Sequence, residues 1–209
     1  MTKENGEIKF YYLQSLSEIF RESSASPQAI EYISNTVYDA YETVREKLQI
    51  SYPVFLKASN RWQIPLLFDK NEQSLTLAYF YPDIGTNGEI SAGSIILNHV
   101  SLGLYTEYID KQYTDGNYLT PWQLIIDISH EMRHAYQWDQ NLELMKNGDP
   151  DPYEASKYEY DANLFAYEHL RHIQPKNLKD RISKYGHIIS LRDKLRRIKN
   201  NRKKLNLPV

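Results

Sequence analysis

Apolar side chains recur every three or four residues through Ile30, Ile33, Val37, Tyr41, Val44 and Leu48, which is the spacing of one face of an α-helix. Ser26 and Pro27 stand before this run. They offer a capping hydroxyl and a proline whose missing N–H costs nothing in a first turn. A shorter helix is expected over residues 8–22. The period then changes. Segments Pro53–Lys57, Gln63–Phe68, Leu75–Tyr81 and Ser94–Val100 are short, apolar and rich in β-branched and aromatic residues. Pro82-Asp83 and Thr86-Asn87-Gly88 punctuate them as turns, so strands are predicted. Residues 102–119 fit neither period, and Asp115-Gly116-Asn117 marks a loop within them. Helical spacing returns at Trp122, Ile125, Ile126, Ser129, Met132, Arg133 and Tyr136. It predicts a helix from Trp122 to Trp138, with Thr120 as N-cap and Pro121 in the first turn. Gly148-Asp149-Pro150-Asp151-Pro152 breaks the chain before a second helical segment, Tyr153 to Ile173. Ile188, Leu191, Leu195 and Ile198 predict a last amphipathic helix. The expected fold class is α+β: an N-terminal helix, a small mixed or antiparallel sheet, two central helices and a C-terminal basic helix. No internal repeat is visible.

Composition narrows the setting. A chain of 209 residues, 41% hydrophobic and 25% charged, suits one compact domain with at most a small appendage. The division expected is a domain over 1–175 and a helical extension over 176–209. There is no cysteine, so disulfides and cysteine-based zinc fingers are excluded. No apolar run reaches the length of a membrane span, and Met-Thr-Lys-Glu-Asn-Gly-Glu is too polar for a signal peptide. A cytoplasmic location is the expectation. The eighteen tyrosines suit a core and cleft with polar handles rather than a cofactor. Charge is unevenly spread. Residues 176–209 carry 12 Lys/Arg against 2 Asp, a formal +10, and residues 1–175 a formal −12. A helix with such a basic face fits nucleic acid, an acidic partner or an anionic surface. The alternative is that it packs on the acidic body through its apolar stripe and ends in a frayed, solvated Asn200–Val209. No interleaved aromatics support nucleic-acid recognition.

The densest chemistry is His130-Glu131-Met132-Arg133-His134, an H-E-x-x-H run inside the helix predicted from Trp122. Histidines four residues apart project from one helix face and can share a tetrahedral metal. Glu131 lies about 100° round the helix from His130, close enough to reach a metal-bound water without becoming a ligand. The pattern points to peptide-bond hydrolysis with Zn2+ as Lewis acid and Glu131 as general base and acid. Chance would produce it on the order of once in a hundred chains of this composition.

A catalytic zinc takes three protein ligands and keeps one position open. The metzincin continuation fails, because Gln137 and Gln140 stand where that pattern has glycine and histidine. A glutamate on the following helix is the other common solution. Glu159 is the leading candidate there, and Glu154, Asp161, Glu143 and Asp139 are its rivals. With Glu159 turned to the metal, Ala162, Asn163, Ala166 and Leu170 share its face. The alanines allow a close helix approach, and Asn163 is placed to accept from the outer nitrogen of a ligand histidine. Asp161 points the other way, toward solvent or a second layer. His169 and His172 read as surface or interhelix histidines.

Glu159-x-x-Ala162-Asn163-x-Phe165-Ala166 after H-E-x-x-H resembles the signature of the gluzincin metallopeptidases, over roughly residues 50 to 173. The likeness is to the small cytosolic branch that includes the ImmA/IrrE-type proteases and the minigluzincins. It implies a zincin-like fold, zinc held by His130, His134 and Glu159, Glu131 as base, and Asn163 as the histidine's partner. Thermolysin-type members carry aspartate where Asn163 stands, and an amide orients a histidine without raising its basicity. The resemblance also implies that the last strand before the metal helix borders the cleft and can take substrate as an added strand. That strand is Ser94–Val100, with His99 as a candidate at the substrate edge or oxyanion. The function expected is an intracellular zinc metallopeptidase acting on a protein or peptide. The alternatives are a weak or inactive zincin-like regulatory protein and a nucleic-acid-associated protein using its basic tail.

Overall fold

A computed structural model of the chain describes residues 20, 23–59, 68–69, 74–75 and 77–208. The helix expected over 8–22, and most of the strand expected over Gln63–Phe68, lie outside these. The first described helix, α1, spans Pro27–Leu48. Ser26 caps it, its hydroxyl accepting from the Ala29 N–H, and Gln49 closes it in the left-handed region with φ of 51°. Ile33, Val37, Tyr41 and Val44 are fully buried. Ser26 also donates from its backbone and hydroxyl to the Asp110 carboxylate, so the cap ties α1 to the next helix.

The sheet is mixed. β1 (Val54–Ala58) runs parallel to β5 (Ile90–Leu97), and β4 (Ala78–Ile84) runs antiparallel to β5. The order is β1-β5-β4. A second, two-residue ladder joins β2 (Phe68–Asp69) to β3 (Ser74–Leu75). Gly88, with φ of 81°, makes the turn between β4 and β5. Gly93 on β5 answers to packing: a Cβ there would meet the Phe80 ring at 2.6 Å.

Several boundaries differ from the hydrophobic pattern. The strand expected over Ser94–Val100 ends at Leu97. Asn98 then accepts from the N–H groups of Val100 and Ser101, and α2 (His99–Lys111) begins. An asparagine side chain that satisfies two orphan donors outweighs the strand preference of the residues after it. The ambiguous stretch 102–119 is therefore mostly helix, closed by the turn at Asp115 and Gly116. α3 spans Trp122–Gln140, and Thr120 does not cap it; Pro121 holds that position without a side-chain bond. The Thr120 N–H instead donates to Asp180 at 2.7 Å.

α3 is the central helix, with Trp122, Leu124, Ile128, Met132 and Ala135 at 0–1% exposure, and it packs against α1, β4 and the later helices. A short α4 (Leu142–Lys146) and a turn of 3-10 helix (Tyr153–Ala155) follow. α5 then spans Lys157–His172, not Tyr153–Ile173, because Ser156 caps it through the N–H groups of Tyr158 and Glu159. α6 (Leu178–Lys204) lies against α5 and the 3-10 turn through Leu191, Leu195 and Ile198. Its end is not frayed at Asn200: Arg202 is 7% exposed and donates to the carbonyls of Ala155 and Pro208 and to Asp151. The described residues thus form a mixed α+β structure in which no helix is long and apolar enough to cross a membrane.

Candidate metal centre

The four-residue spacing on α3 brings His130 and His134 to the face that meets the first turn of α5. Ala162 and Ala166 on α5 are essentially inaccessible and share the face of Glu159, and small side chains between two helices let their backbones approach. The approach puts the Glu159 carboxylate against both imidazoles. His130 Nε2 lies 3.0 Å from His134 Nε2 and 3.4 Å from Glu159 Oε2, and His134 Nε2 lies 3.2 Å from Glu159 Oε1. The two rings stand edge to face, 83° apart. All three side chains are 13–16% exposed.

This cluster could hold a metal ion. One ligand atom from each residue lies within 4.8 Å of the others, and the two histidines meet different carboxylate oxygens, His130 Nε2 facing Oε2 and His134 Nε2 facing Oε1. The donor chemistry agrees, since imidazole nitrogens and a carboxylate oxygen are ordinary zinc ligands. Glu159 Oε2 is buried without a hydrogen bond, as an oxygen awaiting a cation would be.

Sequence reasoning missed the group that orients His134. His134 Nδ1 meets Gln137 Oε1 at 2.8 Å. Gln137 is buried, and its Nε2 donates to the Tyr158 carbonyl at 3.0 Å and to Asp161 Oδ2 at 2.8 Å. With both donor positions used, the amide oxygen must be the atom that faces the histidine. His134 therefore carries hydrogen on Nδ1 and turns Nε2 toward the cluster. Asp161 is itself gripped by Arg133 through two bonds, of 2.7 and 3.1 Å. Asn163 does not take the expected role: its Nδ2 donates to the Glu159 backbone carbonyl at 2.6 Å. The signal for Gln137 was its place three residues after His134, one turn along the same face.

Glu131 stands beside the triangle and outside it, with Oε1 4.0 Å from His130 Nε2. Its Oε2 accepts the Phe80 N–H at 2.7 Å, which aims the carboxylate at the cluster's edge. Burial pushes Glu131 up to about 7, against the lowering effects of His134 and the Phe80 N–H. Burial pulls His130 down to about 4. Burial would lower His134 too, but its bond to Glu159 and the charges of Glu131 and Glu159 outweigh this and push it up to about 9. Burial alone would raise Glu159; the bonds and charges of the two histidines instead hold it well below the usual carboxylate range.

Other expectations are redirected. β5 is hydrogen-bonded on both sides, so it is no edge. His99 is the first residue of α2 and meets Ser59, its Nδ1 3.0 Å from the hydroxyl. The edge nearest the cluster is β4, which touches it through Phe80. The rival ligands are engaged elsewhere: Asp139 with Ser51, Glu143 with Lys146, Asp161 with Arg133 and Gln137. Glu154 is exposed. His169 is buried and stacked on Phe165, and His172 is exposed.

No known protein family matches the chain, and no curated protein or solved structure matches it significantly.

Proposed function

We propose that the chain is a zinc-dependent peptidase of zincin-like, gluzincin type, working in the cytoplasm on a protein or peptide. The observation that carries this is the convergence of His130, His134 and Glu159, in contact at 3.0–3.4 Å, beside a second buried carboxylate, Glu131, that burial raises. Zinc held by His130, His134 and Glu159 would supply Lewis acidity toward a carbonyl oxygen and make water a better nucleophile. The remaining work belongs to the chain. Glu131, whose carboxyl burial raises, takes the proton of the attacking water and returns it to the leaving amine. The Phe80 N–H holds Oε2, which leaves Oε1 free to move that proton.

The same contact suggests where substrate lies. Gly93 donates to Pro53 on the β1 side, so the Pro82–Gly93 and Phe80–Ile95 pairs are not the hydrogen-bonded pairs of β4 and β5. The backbone groups of Ala78 and Phe80, and the carbonyl of Pro82, therefore face away from the sheet. Pro82 costs no ladder bond in this position. An extended peptide added to this edge would run past Glu131.

The test combines metal analysis with cleavage of a fluorogenic peptide library. One zinc per chain is expected, lost in His134→Ala. Glu131→Gln should keep the metal and lose cleavage; an undiminished rate removes the proposed base, and absence of stoichiometric zinc removes the whole reading.

A further inference from the structure

α6 turns one face into the body, and a second face, roughly a third of a turn round the helix, is left open among the described residues. Lys184, Leu191, Leu195, Ile198 and Arg202 are turned into the body and buried. The other face begins with Leu178, Ile182 and Tyr185, which are 70, 67 and 63% exposed, and continues to half-buried Ile189. It then becomes Arg192, Arg196, Lys199 and Lys203, all exposed. The spacing is 4, 3, 4, 3, 4, 3, 4, so the eight side chains lie along one side of α6. Large apolar side chains in a row at such exposure mark a contact surface. The basic half has one acid close to it, Asp193, paired with Arg196 at 3.1 Å.

We propose that this face docks a helix of an acidic partner protein, apolar along one half of its own seam and glutamate- or aspartate-rich along the other. Charge complementarity selects the acid, and a helix laid along α6 meets its apolar and basic halves in turn. DNA or RNA would satisfy the four cations and leave Leu178, Ile182 and Tyr185 against water, since a phosphate backbone offers them nothing apolar. A lipid surface needs an apolar face running the helix length with cations flanking it. Here the cations replace the apolar residues along the same line. The proposal is independent of the metal centre.

The probe is a synthetic helical peptide with leucine along half of its seam and glutamate along the other half, titrated against the full chain by fluorescence anisotropy. Saturable binding is expected. Ile182→Glu should weaken it by roughly tenfold or more, the effect of losing one buried anchor. Arg192→Glu with Arg196→Glu should abolish it, and a peptide with lysine in place of glutamate should restore it to that double variant. No saturable binding overturns the proposal, as does indifference to Ile182→Glu or to the charge exchange. Tighter binding of duplex DNA, or of phosphatidylglycerol vesicles, through the same residues overturns it in favour of that other class.

Discussion

At the scale of single residues, the cluster depends on which nitrogen of His134 is free, and Gln137 decides that. Replacing it with alanine removes the acceptor at 2.8 Å and frees the ring to rotate. Zinc affinity measured by chelator competition should fall roughly 10- to 100-fold, the usual cost of losing an outer partner of a metal-binding histidine. Asn163→Ala, which cuts only a bond to the Glu159 carbonyl, should leave affinity within a few-fold. Equal losses in both variants would refute the assignment of Gln137. The pKa directions give a second prediction. His134 is raised to about 9 without metal, so below that pH a proton must leave before zinc binds. Apparent affinity should drop about tenfold per pH unit from 9 toward 7. The sign for stability is linked. A histidine raised from 6.5 to about 9 stabilises the metal-free fold fully below pH 6.5 and loses that contribution as pH rises through 9. Titrating zinc affinity and metal-free unfolding together checks both; pH-independent affinity over this range would show that His134 is not protonated.

Elements were legible where one period dominated and less so where a cap intervened. The apolar run from Ile30 to Leu48 announced α1, and H-E-x-x-H inside a helical run announced the cluster's first two side chains. Glu159 could be nominated because small residues share its face. Three things were hidden for a common reason. The end of β5 at Leu97, the capping of α5 at Ser156 and the role of Gln137 all depend on one side chain satisfying backbone or ring donors, which hydrophobic period does not record. The edge strand was misplaced because sequence order does not give sheet order: β5 comes last in the chain yet sits in the middle. Three substitutions test this level. Asn98→Ala should cost about 1 kcal/mol in urea unfolding, the value of an N-cap, and Thr120→Ala, which cuts no cap, should cost less. Gly93→Ala should cost about 1–3 kcal/mol, because its Cβ would meet the Phe80 ring at 2.6 Å. It should also impair cleavage more than metal binding, since the displaced residue carries the N–H that holds Glu131. A variant as stable and active as the parent would mean that Phe80 has room to move.

At the scale of the whole molecule, a sequence split into an acidic body and a basic tail invites a picture of two pieces held by charge. The packing is different, because α6 enters through apolar and specific contacts while most of its cations stay outside. Asp180 accepts the Thr120 N–H just ahead of α3, and Lys184 donates to the Ile173 carbonyl after the end of α5. Near the other end of α6, Arg202 joins Asp151 and the Ala155 carbonyl. The side chains of Arg202 and Asp151 are 8% and 11% exposed, so cutting one leaves the other buried with an unmatched charge. Arg202→Ala should therefore destabilise the chain by about 3 kcal/mol. Arg196→Ala, whose pair with Asp193 is 71% and 44% exposed, should change stability by less than about 1 kcal/mol. Replacing Arg202 and Asp151 together by apolar residues should recover most of the loss, because the cost lies in the orphaned charge rather than in the missing pair. Salt separates the two pictures further. A tail held by long-range attraction would loosen as ionic strength rises past the point where the screening length is about 10 Å. A helix held by Leu191, Leu195 and Ile198 would not. Urea midpoints that are flat with salt, together with a large Arg202→Ala effect and a small Arg196→Ala effect, are the expected result. A steep salt dependence with equal effects of the two variants would show instead that the tail is attached by charge alone.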